Sequence, residues 1–301
     1  SVQVKVPVQI VQAPLSSALN GLVRVQVGDS KPITVILDTG SVGLRLFKNA
    51  WQTPPAGVVV SKSSSSVSVR GVTFSGTTGS GSFEIGGVPS AYPITFQVVT
   101  GNNPYIKAAV KKGIQGILGV GMSRQSLPNP LASLPGNVGR HWSIAYHADK
   151  SGKSGAGMLM LGAAVPANAV ANVSPPFQGT GAFNQALWND QKAPMCWTVG
   201  VTVDTCVSTY FDSVLPYVLA TGPAFANLPA NSQGYLRPGR SVAARASGAA
   251  YSYWNFTSGT TLSNDVVKVS GNGKGLVNMG NAAYFDYTVT YDLQRGLVSF
   301  S

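Results

Sequence analysis

Alternation of apolar and polar residues with a period of two runs through most of the chain and predicts strands rather than helices. Leu22-Val23-Arg24-Val25-Gln26-Val27 reads as one strand, Gly28-Asp29-Ser30 as a turn, and Ile33-Thr34-Val35-Ile36-Leu37 as a second strand ending at Asp38. A polar turn is expected at Ser63–Ser66. Strands over 67–74 and 81–85 then flank a glycine-rich tip, Ser75-Gly76-Thr77-Thr78-Gly79-Ser80. Residues 94–99 form a further strand, 106–112 a short helix or turn, 115–121 a buried strand with close backbone packing, and 158–162 another strand. The segment 166–194 is rich in Pro, Asn and Gly, weakly patterned, and reads as a linker between two halves. Strands resume at 197–203, short helical turns are expected around 215–226, and the chain closes on a hairpin, 287–291 and 297–300 about a turn at 292–296.

Composition narrows the class. Of 301 residues only 10% are charged, and the net charge of +11 arises because 21 basic residues face 10 acids. The basic residues are scattered, with no aromatic-interleaved stripe, which argues against nucleic-acid binding and leaves a loose attraction to acidic surfaces. No apolar run approaches the ~18 residues of a membrane span. The chain begins at Ser1, and with its two cysteines, Cys196 and Cys206, it fits a mature secreted or periplasmic protein with a disulfide. Two histidines, distant in sequence from those cysteines, make a metal cluster a poor expectation; no metal and no cofactor is expected.

Candidate chemistry lies in the carboxylates. Asp38-Thr39-Gly40-Ser41 places one acid at a strand end before a tight glycine turn. One carboxylate does little; two facing each other share a proton and can activate water. Among the ten acids, Asp38, Asp204 and Asp212 directly follow strand-like apolar residues. Thr34-Val35-Ile36-Leu37-Asp38-Thr39 has a weak repeat in Val201-Thr202-Val203-Asp204-Thr205, 204 − 38 = 166 residues on, so one acid falls in each half of the chain.

In this order the motifs resemble a pepsin-like aspartic peptidase over nearly the whole chain. Asp38-Thr39-Gly40-Ser41 is similar to that family's first catalytic loop. The glycine-rich stretch 76–83 sits where the family has its flap. Gly116-Ile117-Leu118-Gly119 resembles the segment packed beneath the first loop. Trp142-Ser143-Ile144-Ala145, Gly157–Gly162 and Tyr287–Phe300 resemble its later strands and last hairpin. The resemblance implies an all-β, bilobal fold with a central cleft, an N-terminal lobe over 1–165 and a C-terminal lobe over 166–301. It further implies a secreted, monomeric endopeptidase acting on extended peptides through an Asp–Asp activated water. Asp38 and Asp204 would be catalytic, and Gly40, Gly79 and Ser80 would contact substrate.

Three departures accompany the resemblance. The second loop, Asp204-Thr205-Cys206-Val207, has Cys where the family has Gly. The rival, Asp212-Ser213-Val214, has Val there and keeps fewer motif residues, so Asp204 is preferred. The cysteines bear on that choice. A continuous strand over 197–203 would hold Cys196 and Cys206 ~30 Å apart at ~3.3 Å per residue, beyond disulfide reach. A bonded pair requires a fold-back near Gly200, which puts Asp204 in a clip and favours Asp212. The flap tyrosine has no match, Phe74 being the nearest aromatic, and Leu44-Arg45-Leu46 replaces the aromatic expected after the first loop. Plant proteins of this fold that lack parts of the catalytic set inhibit glycan-degrading enzymes, so a non-catalytic binding protein is the alternative function.

Overall fold

The computed structural model describes residues 2–260 and 265–301. It is nearly all β, as the period-two pattern requires. Fifteen strands form one mixed sheet: all those between Val4 and Val173, joined by the two last strands of the chain, Val289–Asp292 and Leu297–Phe300. Seven strands between Ala193 and Asn278 form a second sheet. The terminal hairpin returns across the molecule, pairing Val289–Asp292 with His141–Ile144 and Leu297–Phe300 with Ala171–Val173. The 166–194 segment carries strands of its own, among them a small two-stranded sheet, Phe177–Thr180 with Ala186–Trp188, so it is more than a linker. Residues expected as helical turns over 215–226 instead hold the strand Val218–Thr221 and one 3-10 turn, Pro223–Phe225.

One arrangement occurs twice and positions the site. In the first half, Ile33–Asp38 runs parallel to Gly116–Val120, with Asp38 opposite Gly119. The chain then turns and returns as Val42–Leu46, antiparallel on the other side of the same strand. In the second half, Val203–Tyr210 runs parallel to Leu276–Asn278, with Tyr210 opposite Asn278, and the chain returns antiparallel as Val218–Thr221. Each pair of strands thus straddles a third, and each connecting loop emerges at the strand end with an Asp in it, Asp38 or Asp212.

Two hairpins differ from the sequence expectation. The first is Val59–Val69 with Val72–Gly81, in which Val69 pairs with Val72 across a two-residue turn, Arg70-Gly71. The glycine-rich stretch lies within the second strand of this hairpin, where Gly79 pairs with Phe96 and Val60. The predicted tip is therefore the hairpin's base, and the real tip is Arg70-Gly71. Glycines at 76 and 79 answer to close packing: a Cβ at Gly79 would lie 2.6 Å from the Phe96 ring. The second hairpin, Ala193–Val199 with Val203–Tyr210, folds back at Gly200 (φ +58°). It sets Cys196 directly opposite Cys206, bonded, with Cα atoms 3.9 Å apart.

Candidate active site

Asp38 and Asp212 meet at the centre of the molecule, both fully buried. Their loops are pinned together by a reciprocal pair of hydrogen bonds: the Thr39 N–H donates to Ser213 Oγ (3.0 Å), and the Ser213 N–H donates to Thr39 Oγ1 (2.9 Å). Each hydroxyl also reaches into the opposite strand end. Thr39 Oγ1 donates to the Phe211 carbonyl (3.1 Å), and Ser213 Oγ donates to the Leu37 carbonyl (2.9 Å). Four bonds related by an approximate twofold thus fix one loop against the other, all sheltered from water, where an unmade bond costs ~1–3 kcal/mol. Tyr284 lies beneath, its hydroxyl 2.7 Å from Thr39 Oγ1 and 2.6 Å from the Tyr291 hydroxyl.

The carboxylates are held alike but not identically. Asp38 accepts from the Gly40 N–H (2.9 Å) at Oδ1 and from the Ser41 hydroxyl (2.7 Å) at Oδ2. Asp212 accepts from the Val214 and Leu215 N–H groups at Oδ1, while the Asn278 side-chain amide donates to Oδ2 (3.0 Å). Leu215 stands where Ser41 stands in the first loop, and Asn278 supplies the missing donor from the straddled strand. Gly40 has a steric reason: a Cβ there would sit 2.6 Å from the Asp212 carboxyl carbon. Any side chain at 40 would push the two acids apart.

Between the carboxylates lies Arg70, reaching down from the hairpin tip. Its Nη2 is 2.8 Å from Asp38 Oδ2, and its Nη1 is 3.2 Å from Asp38 Oδ1 and 3.2 Å and 3.3 Å from the two Asp212 oxygens. One guanidinium therefore bridges both acids, with only 22% of its side chain exposed. The backbone accommodates this at a cost. Arg70 has φ +50° and Gly71 φ +77°, the left-handed pair that two-residue hairpins need and that favours Asn-Gly or Gly-Gly. A bulky residue at the first position carries strain of the order of 1–3 kcal/mol, which the ion pairs offset.

Burial alone pushes the Asp38 carboxyl upward, but the Arg70 charge and hydrogen bond, with those from Ser41 and Gly40, bring it below the ordinary carboxylate value. The guanidinium is held correspondingly more firmly protonated by Asp212 and Asp38. A second arginine, Arg45, is fully buried near Asp38. Its Nη1 donates to the Val42 and Gly43 carbonyls, and burial lowers its affinity for a proton while Asp38 opposes that loss.

The cleft opens on both sides of Arg70. On one side a cavity of about 370 Å³ is walled by apolar groups, including Leu15, Phe74, Tyr105, Ile117 and Val214. On the other, a cavity of about 660 Å³ runs past Gly40, Ser41 and Tyr210 to Lys192 and Lys274. A more enclosed cavity of about 180 Å³, between residues 121–132 and 181–187, is lined by neither acid nor by Arg70.

Of the residues singled out from sequence, Asp38 and Gly40 are at this centre and Asp204, Gly79 and Ser80 are not. Asp204 sits on the disulfide hairpin opposite Thr198, its side chain 63% exposed and paired with Arg245 (3.0 Å). Gly79 and Ser80 lie at the base of the hairpin whose tip reaches the acids. The repeat that matters relates Asp38 to Asp212, 174 residues on, not to Asp204. Phe74 is no substitute flap tyrosine: it is buried, stacked on Phe47 at 6.1 Å between centroids and edge-on to Tyr105. The sequence pattern does not single out Arg70, although Val67-Ser68-Val69-Arg70-Gly71-Val72-Thr73-Phe74 alternates on both sides of a Gly-containing pair, itself a hairpin signal.

Among solved structures, the crystal structure of an aspartic proteinase from Irpex lacteus superposes on the whole chain and on 97% of its own length, with a TM-score of 0.67 at 16% sequence identity. The chain has the pepsin-like fold. No protein-family model and no curated protein sequence matches it.

Proposed function

We propose that this chain is an aspartic endopeptidase whose catalytic pair is Asp38 and Asp212. The observation that carries this reading is the locked geometry of the two acids. Both are buried, both are cradled by matching loops, and both approach closely enough for one guanidinium to bridge them. A fold that only binds has no evident need for the Thr39–Ser213 lock or for a glycine at 40 that admits the opposing carboxylate.

With Arg70 withdrawn, like charges this close cannot both stay ionised cheaply, and the pair holds one proton between them. The charged member takes a proton from an attacking water while the protonated member donates to the peptide carbonyl oxygen, giving a tetrahedral diol with no covalent intermediate. The pair titrates as a unit, so neither acid is assigned a single role. Lobes over 1–165 and 166–301 supply one acid each, and the Arg70 hairpin closes over an extended peptide. The disulfide suits an oxidising, extracellular or periplasmic setting.

Arg70 also favours a second reading. A cation seated on both carboxylates holds Asp38 toward its ionised form and fills the space a water would need, as a non-catalytic binding protein on this fold would tolerate. Digestion of a denatured protein over about pH 2 to 7 separates the two, since carboxylate pairs titrate in this range. Cleavage lost in Asp38→Asn and in Asp212→Asn, and kept in Asp204→Asn, is the result expected of the peptidase. A folded wild type that cleaves nothing at any pH would leave the binding protein.

A further inference from the structure

The larger arm of the cleft has a charge bias that the reaction itself does not require. Its walls carry Arg124, Lys192 and Lys274 beyond Arg70, and no acidic side chain among the described residues lines it. Arg70 is engaged with Asp38 and Asp212, and neither of those acids is paired with Arg124, Lys192 or Lys274. Arg124 is directed by hydrogen bonds from Nη2 to the Gln178 and Thr180 carbonyls, and its charge has no carboxylate partner among the described residues. Lys192 and Lys274 are exposed and likewise unpaired there. The other polar side chains of the arm are neutral amides and hydroxyls, among them Gln125, Gln178, Asn189, Gln191 and Ser208. The opposite arm is mostly apolar, with Ser16 and Asn20 its small polar side chains and Arg70 at its border. The two arms therefore present different chemistry to the two halves of one extended ligand.

We infer that the Arg124–Lys192–Lys274 arm is a specificity site for acidic side chains, so that the preferred ligand is a peptide with an apolar half and an acidic half. This rests on reading the cleft as a peptide site. Clustered cations facing an open groove raise the local concentration of anionic ligands and favour them over neutral isosteres, with a strong dependence on salt. A chain with 21 basic and 10 acidic residues has few acids of its own to compete with that ligand for the cations.

The test is a binding measurement that needs no turnover. Two fluorescent decapeptides share an apolar half and carry three Glu or three Gln in the other half, and each is made in both chain orders. Kd is read by anisotropy at about pH 6.5, where Glu is ionised, at ~20 mM and ~300 mM salt, which brackets weak and strong screening. The Glu peptide should bind about tenfold more tightly at low salt in at least one order. That preference should shrink to about twofold at high salt and in the Lys192→Gln/Lys274→Gln variant, with the Gln peptide unaffected. Equal affinities for the two peptides, a preference that survives in the double variant, or displacement of the peptide by an equal concentration of oligothymidylate would overturn the inference. Selective binding together with no cleavage by the folded wild type anywhere from about pH 2 to 7 would instead sink the peptidase reading and leave this one standing.

Discussion

Replacing Arg70 by Asn isolates the cation from the hairpin that carries it. Asn accepts the left-handed backbone that Arg70 adopts at φ +50°, and Asn-Gly is the preferred pair for a two-residue hairpin, so the tip keeps its shape while the charge is lost. Arg70 makes four contacts of 2.8 to 3.3 Å to the two acids, the shortest of them to Asp38. Charge-assisted hydrogen bonds contribute ~1.5–3 kcal/mol each net of hydration. Taking one strong bond as the net cost of lifting the tip, ~3 kcal/mol, the open state is populated about once in 150 molecules at ~1.4 kcal/mol per factor of ten. The competent fraction divides directly into apparent affinity. Arg70→Asn should therefore raise kcat/KM by up to about a hundredfold where the latch is fully formed.

The pH profile gives an independent reading of the same variant. Arg70 holds Asp38 below its ordinary value, so in the wild type the singly protonated pair forms only at acid pH. Without the cation the pair regains its mutual repulsion and keeps its shared proton to higher pH, and the alkaline limb of kcat/KM should move upward. Stability moves in a linked way. A depressed carboxylate contributes stability that is present above its unfolded value, near 3.9, and is lost as pH falls through the folded value. The variant should lose that contribution above about pH 4, and the acid-induced part of unfolding should flatten. The assay is a fluorogenic peptide across pH, beside thermal melts. An Arg70→Asn protein that melts normally and has a pH–rate profile superimposable on the wild type would refute the latch.

Other positions give sharper contrasts. Asp204→Asn should change stability by less than ~0.5 kcal/mol and leave the rate unaltered, because its ion pair with Arg245 is at the surface; urea titration and peptide cleavage check both. Ser213→Ala strips a hydroxyl that accepts from Thr39 N–H and donates to the Leu37 carbonyl, so it should cost ~1–3 kcal/mol in the same titration and lower kcat more than it raises KM. Reducing the Cys196–Cys206 bridge, which spans a separation of 10 residues, should cost about 2–3 kcal/mol, read as a lower midpoint in urea with reductant present. Asp190 is buried and pushed up to about 7, although the Met122 N–H donates to it at 2.7 Å. A raised carboxylate contributes stability that is fully present below about pH 4 and lost as pH rises through about 7. Asp190→Asn should abolish that decline, as unfolding midpoints from pH ~4 to ~8 would report.

What was legible in the sequence followed from short-range physics. Strand periodicity, the Asp38 turn, the buried Gly116–Val120 strand and the closing hairpin each depend on neighbours a few residues away. The second acid did not. Asp204-Thr205 repeats the local pattern of Asp38-Thr39, yet the disulfide folds its strand back at Gly200 and carries Asp204 to the surface. Asp212-Ser213-Val214 looks poorer in isolation because its support is distant: Asn278 replaces the serine of the first loop, and the Ser213 hydroxyl serves where the first loop uses threonine. A site whose second half is completed by a residue 66 positions away cannot be read from a four-residue motif. Arg70 fits the same account. Its turn was locally readable, but its role requires knowing that two buried acids lie beneath it, and a run of serines and glycines offered an easier tip a few residues on. The strained φ at Arg70 is the trace of that longer-range demand: a residue poorly suited to its turn stays there because its charge is needed between Asp38 and Asp212.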